Sequence, residues 1–239
     1  MSNALLRLAL QNGIWEIGHF RIMIQLVLAS ASPRRREIIR ILDLAVTCVS
    51  PKAPETRPGP DEAVERYVTR LSLGKAKEVS IQKPSSVVIG ADTVVVSAGM
   101  ILGKPYDIKG ATETLQALRG RTHRVVTGLA LLDPLTGKAD TITRSTTVSM
   151  RRYTDDEISE YISRGEPFDK AGGYAIQDPI FNPCVCIQGC YLNVVGLPIC
   201  DLLTLLRRIG VNATTRIGWT RPYECGDCLI GGAEKVSMS

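Results

Sequence analysis

The sequence predicts an α/β fold, and three stretches carry that reading. Ile24 to Ala29 is a short, mostly apolar run that reads as a buried strand, with a helix signal directly after it. Ser85 to Val96 is apolar nearly throughout, so it reads as a central strand covered on both faces. Arg124 to Leu132 and Thr141 to Met150 alternate loosely around a Pro/Gly-containing turn, which suits an antiparallel, half-exposed pair.

Taken in order, the first strand breaks at Ser30-Ala31-Ser32, and Pro33 follows. Ser32 is a good N-cap, and Pro33 fits the first helical position, where its missing N–H costs nothing. The helix is expected from about Arg34 to Leu42, with Ile38, Ile39 and Leu42 on its apolar face. Its first turn carries Arg34, Arg35 and Arg36. Unpaired N–H groups, the positive end of the helix dipole and guanidinium groups converge there, as a site for a phosphate chain requires. A solvated basic turn with a good cap would look the same.

Ala45 to Val49 reads as a second strand, and Ser50 to Pro60, with four prolines, as a loop whose single carboxylate is Glu55. A helix opens at Asp61, with Val64, Tyr67, Val68 and Leu71 as its stripe, which Val79 would extend past the weak point at Gly74. Lys75 and Lys77 fall near its expected C-terminal end, where lysines ordinarily complement the dipole. Within the central strand, Asp92 stands between Ala91 and Thr93 in a run of Val and Ile. Strand propensity does not explain a carboxylate there, so it must pair or do chemistry. Gly90 lets a ligand or a backbone come close. Ile101 to Pro105 is a hairpin return that includes Lys104, and Asp107 caps a helix to about Leu118. Thr154 to Glu157 is a capping box for a helix to about Ser163. Pro167 to Asp178 is a glycine-containing loop with Asp169, Lys170 and Gln177, a composition common at functional sites. Cys190 to Val195 reads as a last strand, followed by a helix from Ile199 to Arg208. His123 reads as a structural turn residue, and Arg151 and Arg152 as a solvated pair.

The whole chain bounds the function. Its 239 residues suffice for one large domain or two small ones. A formal charge of +5 suits a small anionic substrate, but no Lys/Arg run with interleaved aromatics marks nucleic-acid binding. Aromatics at 5% argue against a base-stacking platform. Seven cysteines without framework spacing read as mostly reduced thiols. Cys225 and Cys228 form a CxxC that no second pair completes, and two histidines argue against a His-based metal or triad enzyme. No segment reaches membrane-span length, and residues 1–22 lack a small-residue cleavage site, so a cytoplasmic protein without membrane contact is expected. The expected organisation is an N-terminal extension over 1–22, one domain over 23–208 and a poorly packed tail over 209–239.

Six blocks in order resemble the Maf family of nucleoside triphosphate pyrophosphatases over about residues 24–208. They are Leu28 to Glu37, Gly90 to Val95, Gly103 to Pro105, Gly120 to His123 with Val126 to Gly128, Asp169 to Gln177, and Asn193 to Pro198. The resemblance implies a long mixed sheet with helices on both sides, and two lobes around a substrate cleft. It implies hydrolysis of a nucleoside triphosphate between the α and β phosphates, dependence on a divalent cation (Mg²⁺ or Mn²⁺), and frequent homodimers. The Asp169 to Gln177 block matches the branch acting on dTTP and UTP. A sister branch prefers 7-methyl-GTP, and the family has also been linked to septum formation.

Carried over by motif, Asp92 matches the family's proton acceptor, and Arg34, Thr93 and Gln177 match its specificity positions. Ser32, Arg35, Lys75 and Lys104 match phosphate-contacting positions, and Glu55 and Asp92 match metal-holding ones. The Glu55 loop departs from the pattern, reading Pro-Glu-Thr where relatives often have a second acid. Carboxylate oxygens suit Mg²⁺, and a carboxylate beside the α-phosphorus could equally take the proton of the attacking water, so Asp92 could serve as base, ligand or both. Gln177, with a donor and an acceptor on one amide, suits O4 and N3–H of uracil or thymine.

Overall fold

The apolar runs pair into one mixed sheet. The computed structural model describes residues 14–17, 20–23, 25–134 and 136–216. β1 (Ile14–Ile17) and β2 (Phe20–Met23) form a separate antiparallel hairpin. The main sheet holds β3 (Gln25–Ala29), β4 (Val46–Val49), β5 (Ser86–Ser97), β6 (Met100–Leu102), β7 (Thr122–Leu132), β8 (Ala139–Met150) and β9 (Cys184–Gln188). Their order is β4-β3-β5-β7-β8-β9, with β6 also pairing with β5. β3 runs parallel to β4 and to β5, and the remaining pairs are antiparallel. β5 is interior and buried almost throughout, as its continuous apolar run predicts.

The connections follow from local chemistry. α1 (Pro33–Ile39) starts as expected, with Ser32 Oγ accepting from the Arg35 N–H and Pro33 at the first position. It stops before Leu42, which is nevertheless fully buried. α2 (Val64–Gln82) starts later than expected, because Asp61 sits at φ 57° and cannot begin a right-handed helix. It also runs through Gly74 to Gln82, so Lys75 and Lys77 lie in the helix body and not at the dipole's negative end. α3 (Ile108–Leu118) is capped by Asp107, and α4 (Asp155–Ser163) by the full Thr154/Glu157 capping box.

α2 lies against the sheet at two glycines. A Cβ on Gly90 would stand 2.0 Å from Ser72 O, and one on Gly128 2.5 Å from Val68 O. Gly90 therefore admits a helix backbone. On this face Val27, Val88 and Ala130 pack under α2, while Leu28, Ile89 and Leu129 pack on the other face with the C-terminal helix.

Cys190 to Val195 is not a strand. It contains the short helix α5 (Tyr191–Val195), and the last strand among the described residues is β9 just before it. Leu192 and Val195, three apart and both buried, carry a helical period that an alternation reading misses. Residues 210–216 are not loose. Val211 and Ala213 are buried after α6 (Ile199–Arg208), Asp43 N donates to Thr214 O, and Arg216 N to Ile41 O. Residues 217–239, with the CxxC, and most of the 1–22 extension lie outside the described residues. Cys48 and Cys186 are free thiols, whereas Cys200 is disulfide-bonded. Arg151 is not merely solvated either: it donates to the carbonyls of Phe181 and Asn182 and pairs with Glu157.

His123 lies inside β7 and not in a turn, 3% exposed, with Nε2 2.7 Å from Tyr174 OH. Burial lowers its pKa from 6.5 to about 4. The unfolded chain therefore binds the extra proton first as pH falls, and the folded state loses stability on the way from 6.5 to 4. The loss should reach about 3 kcal/mol at the bottom of that window and vanish above it. Urea unfolding across this range should give a shallower pH dependence for His123→Phe than for the wild type. Parallel curves would contradict the assignment.

Candidate active site

The register of β5 makes an opening in the sheet. β3 covers its edge only as far as Gly90, and β6 pairs from Val95 onward. Between them, Ala91 to Val94 pair only with β7 among the described residues. Successive strand residues point to opposite faces, so this opening presents Asp92 on the α2 side and Thr93 on the other. A cleft of about 330 Å³ lies over it. All nine residues singled out from sequence line that cleft: Ser32, Arg34, Arg35, Glu55, Lys75, Asp92, Thr93, Lys104 and Gln177. Asp169 and Tyr174 join them.

On the α2 side, the body of the helix projects Lys75 between two carboxylates. Its Nζ is 2.5 Å from Asp92 Oδ1 and 2.6 Å from Glu55 Oε1. Asp92 is 4% exposed. Burial raises its pKa above the ordinary carboxylate value, although Lys75 and Arg35 pull the other way. Glu55 is more open. Burial pushes it up, but the bond to Lys75 and the charges of Lys75, Lys104 and Arg35 outweigh that, and its pKa falls. Burial thus dominates at Asp92, and the surrounding cations dominate at Glu55.

On the Thr93 side, the three arginines part company. Arg35 is buried and turned into the protein. Nε donates to Gly196 O at 2.8 Å, Nη1 to Ala91 O at 2.9 Å and Nη2 to Thr93 Oγ1 at 2.8 Å. Desolvation lowers its pKa, with Asp92 and Glu55 opposing. Arg34 reaches across the cleft to Asp169, 3.0 Å from Oδ2 and 3.2 Å from the main-chain oxygen. Arg36 donates to Ser30 O and Ser50 Oγ, so it pins the strand end and is not the free surface residue its position suggests.

Sequence reasoning missed the layer behind the cleft. Thr127 faces Thr93 across β5 and β7, with the two hydroxyl oxygens 2.9 Å apart. Asn193 ties α5 to the sheet, its Nδ2 donating to Val125 O and Thr146 Oγ1. The one available signal was Asn193 to Pro198 itself, a block that matched without a role.

A family model described as Maf-like protein matches residues 25–209. A dTTP/UTP pyrophosphatase of Thermomicrobium roseum is 43% identical over 215 residues, 90% of this chain and 97% of that protein. One of Syntrophotalea carbinolica is 46% identical over 192 residues, 77% of this chain and 84% of its own. One of Methanosarcina mazei is 42% identical over 190 residues, 80% of this chain and 96% of its own. The matched span contains the whole main sheet, the opening in β5 and every residue of the cleft, and on these grounds the chain belongs to the Maf family.

Proposed function

We propose that this protein hydrolyses dTTP and UTP to the monophosphate and pyrophosphate, cleaning nucleotide pools in the cytoplasm. The observation that carries the reading is the buried Asp92 beside Lys75 and Glu55, in a cleft whose other wall is the arginine-bearing start of α1. A triphosphate repels an attacking nucleophile, so its hydrolysis is mostly positioning and charge neutralisation. Lys75, Lys104 and Arg34 supply cations around the cleft, and Ser32 caps a helix whose N-terminus points into it. Asp92, a buried carboxylate in the opening of β5, takes the proton of the attacking water. Arg35 commits three donors to the protein, so it primarily holds Thr93 and the Gly196 turn in place.

The donor set fits a divalent cation. Two carboxylate oxygens already converge on one ammonium, and oxygen ligands are what Mg²⁺ or Mn²⁺ takes. Among the described residues no cluster of three His, Cys, Asp or Glu side chains exists. Glu55 and Asp92 would thus be the protein's share, with phosphate oxygens and water completing the shell. Such a cation supplies charge neutralisation and Lewis acidity at the phosphates. Gln177, at the same cleft, reads O4 and N3–H of the pyrimidine through its amide.

A panel of dTTP, UTP, CTP, GTP and 7-methyl-GTP, assayed with Mg²⁺ and Mn²⁺ for pyrophosphate, tests the reading. Pyrophosphate from dTTP and UTP, well above the others, is expected. Preference for 7-methyl-GTP, or release of orthophosphate, would contradict it.

A further inference from the structure

The hydroxyls behind Thr93 form a chain whose two ends are chemically fixed. At one end Arg35 Nη2 donates to Thr93 Oγ1 at 2.8 Å. A guanidinium can only donate. At the other end Thr127 Oγ1 donates to the main-chain oxygen of Asn193 at 3.2 Å, and a carbonyl can only accept. Thr127 has one hydroxyl proton, and Asn193 takes it. By distance alone either hydroxyl could donate across the 2.9 Å Thr93–Thr127 contact, and with the Thr127 proton on Asn193 the donor is Thr93. The other acceptor near Thr93, Gly196 O at 3.4 Å, is also part of the protein and already receives Arg35 Nε at 2.8 Å. Either way the Thr93 proton is directed inward. Thr127 and Asn193 are fully buried, so water does not compete for it.

From this we infer that Thr93 faces the cleft as a hydrogen-bond acceptor only, and that Thr127 is the positioning residue that fixes this polarity. One Thr93 lone pair serves Arg35, and the second is left for a ligand. Thr93 lies on the face of β5 opposite Asp92 and Lys75, away from the carboxylate–ammonium cluster. An ionised triphosphate carries no hydrogen-bond donor, so phosphate oxygens cannot supply its partner. The group it accepts from is a donor of the nucleoside. The inference rests on the pyrimidine triphosphate reading above. dTTP and UTP share two such donors, the ring N3–H and the sugar 3′-hydroxyl. The Asn193 to Pro198 block thereby gains a role, since it supplies the Asn193 and Gly196 carbonyls that terminate the chain.

Thr127→Val keeps the shape and removes the acceptor. The Thr93 proton then keeps only the long 3.4 Å contact to Gly196 O, which Arg35 Nε already occupies, and can turn into the cleft, where it opposes the ligand's donor. Thr127→Ser keeps the hydroxyl and gives up a methyl group. Titration calorimetry of the full chain in EDTA, with UTP, CTP (no N3–H) and 3′-deoxy-UTP, reads the polarity without turnover. A failure of the pyrophosphatase reading would appear in the hydrolysis panel and not here. In the wild type UTP should outbind at least one analogue. In Thr127→Val that preference should shrink about fivefold, the energy of one hydrogen bond. In Thr127→Ser it should persist. The analogue whose ratio moves identifies the donor. An unchanged ratio in Thr127→Val, equal losses in both variants, or a wild type that does not discriminate would each overturn the inference. Calorimetric melting of the variants shows that both are folded when titrated.

Discussion

Asp92→Asn is expected to reduce pyrophosphate release by at least about a thousandfold while leaving the protein folded. The substitution is isosteric, so Oδ1 still accepts from Lys75 and β5 keeps its register. An amide cannot take a proton at neutral pH, and general-base catalysis alone is worth about 10²- to 10⁴-fold. The change also removes one of the two anionic oxygens that would hold a divalent cation. Stability should move the other way or not at all. Burial penalises the charged form of Asp92, and a neutral side chain escapes that cost. Steady-state rates on dTTP and UTP beside a thermal melt separate the two effects. Retention of about a tenth of the activity would remove Asp92 from the role of base.

Gly90→Ala should be the most damaging small substitution for stability. The added Cβ would stand 2.0 Å from Ser72 O, 3.0 Å from Ser72 C and 3.1 Å from Ala76 Cβ, and the first two atoms are helix backbone. Backbone cannot rotate away as a side chain can, so α2 must lift from the sheet. Overpacking in a close-packed interior costs about 1–3 kcal/mol, and rigid surroundings put this site at the upper end. The effect reaches the chemistry, because Ser72 lies about one turn before Lys75 on the same helix. Lifting α2 draws the ammonium away from Asp92 and Glu55. Urea unfolding should show a loss of about 3 kcal/mol or more, with reduced turnover in the remaining folded protein. A loss below about 0.5 kcal/mol would mean that the close approach of α2 to β5 is not real.

The strands were legible because their apolar runs are long and their flanks carry turn residues. Asp92 was legible for the opposite reason: a carboxylate in a buried strand contradicts its surroundings, and such contradictions concentrate at functional sites. Lys75 was harder. Its role depends on α2 continuing past Gly74, and propensity argues against a glycine in a helix interior. Tertiary packing overrides that weak preference here. Cys190 to Val195 failed because the Leu192/Val195 spacing, within five helical residues, is too short a pattern to outweigh an alternation reading.

The arginine triplet shows a different limit. Arg34, Arg35 and Arg36 are identical in type and adjacent in sequence. A helix turns about 100° per residue, and that rotation sends one to Asp169, one into the sheet and one back to Ser30. Which arginine takes which direction depends on where β5 and the Gly196 turn lie, and neither is local to the triplet. The Thr93–Thr127–Asn193 chain was hidden for the same reason. Its members come from β5, β7 and α5, and only the register of the sheet brings them together.

The proposed hydrolysis requires the cleft to direct water onto the α-phosphorus of a pyrimidine triphosphate. Hydrolysis of UTP in ¹⁸O-water, with mass analysis of both products, decides this. One ¹⁸O in the uridine monophosphate and unlabelled pyrophosphate are expected. Label in the pyrophosphate would place the attack at the β-phosphorus, and labelled orthophosphate would place it at the γ-phosphorus. Either result would overturn the proposed function.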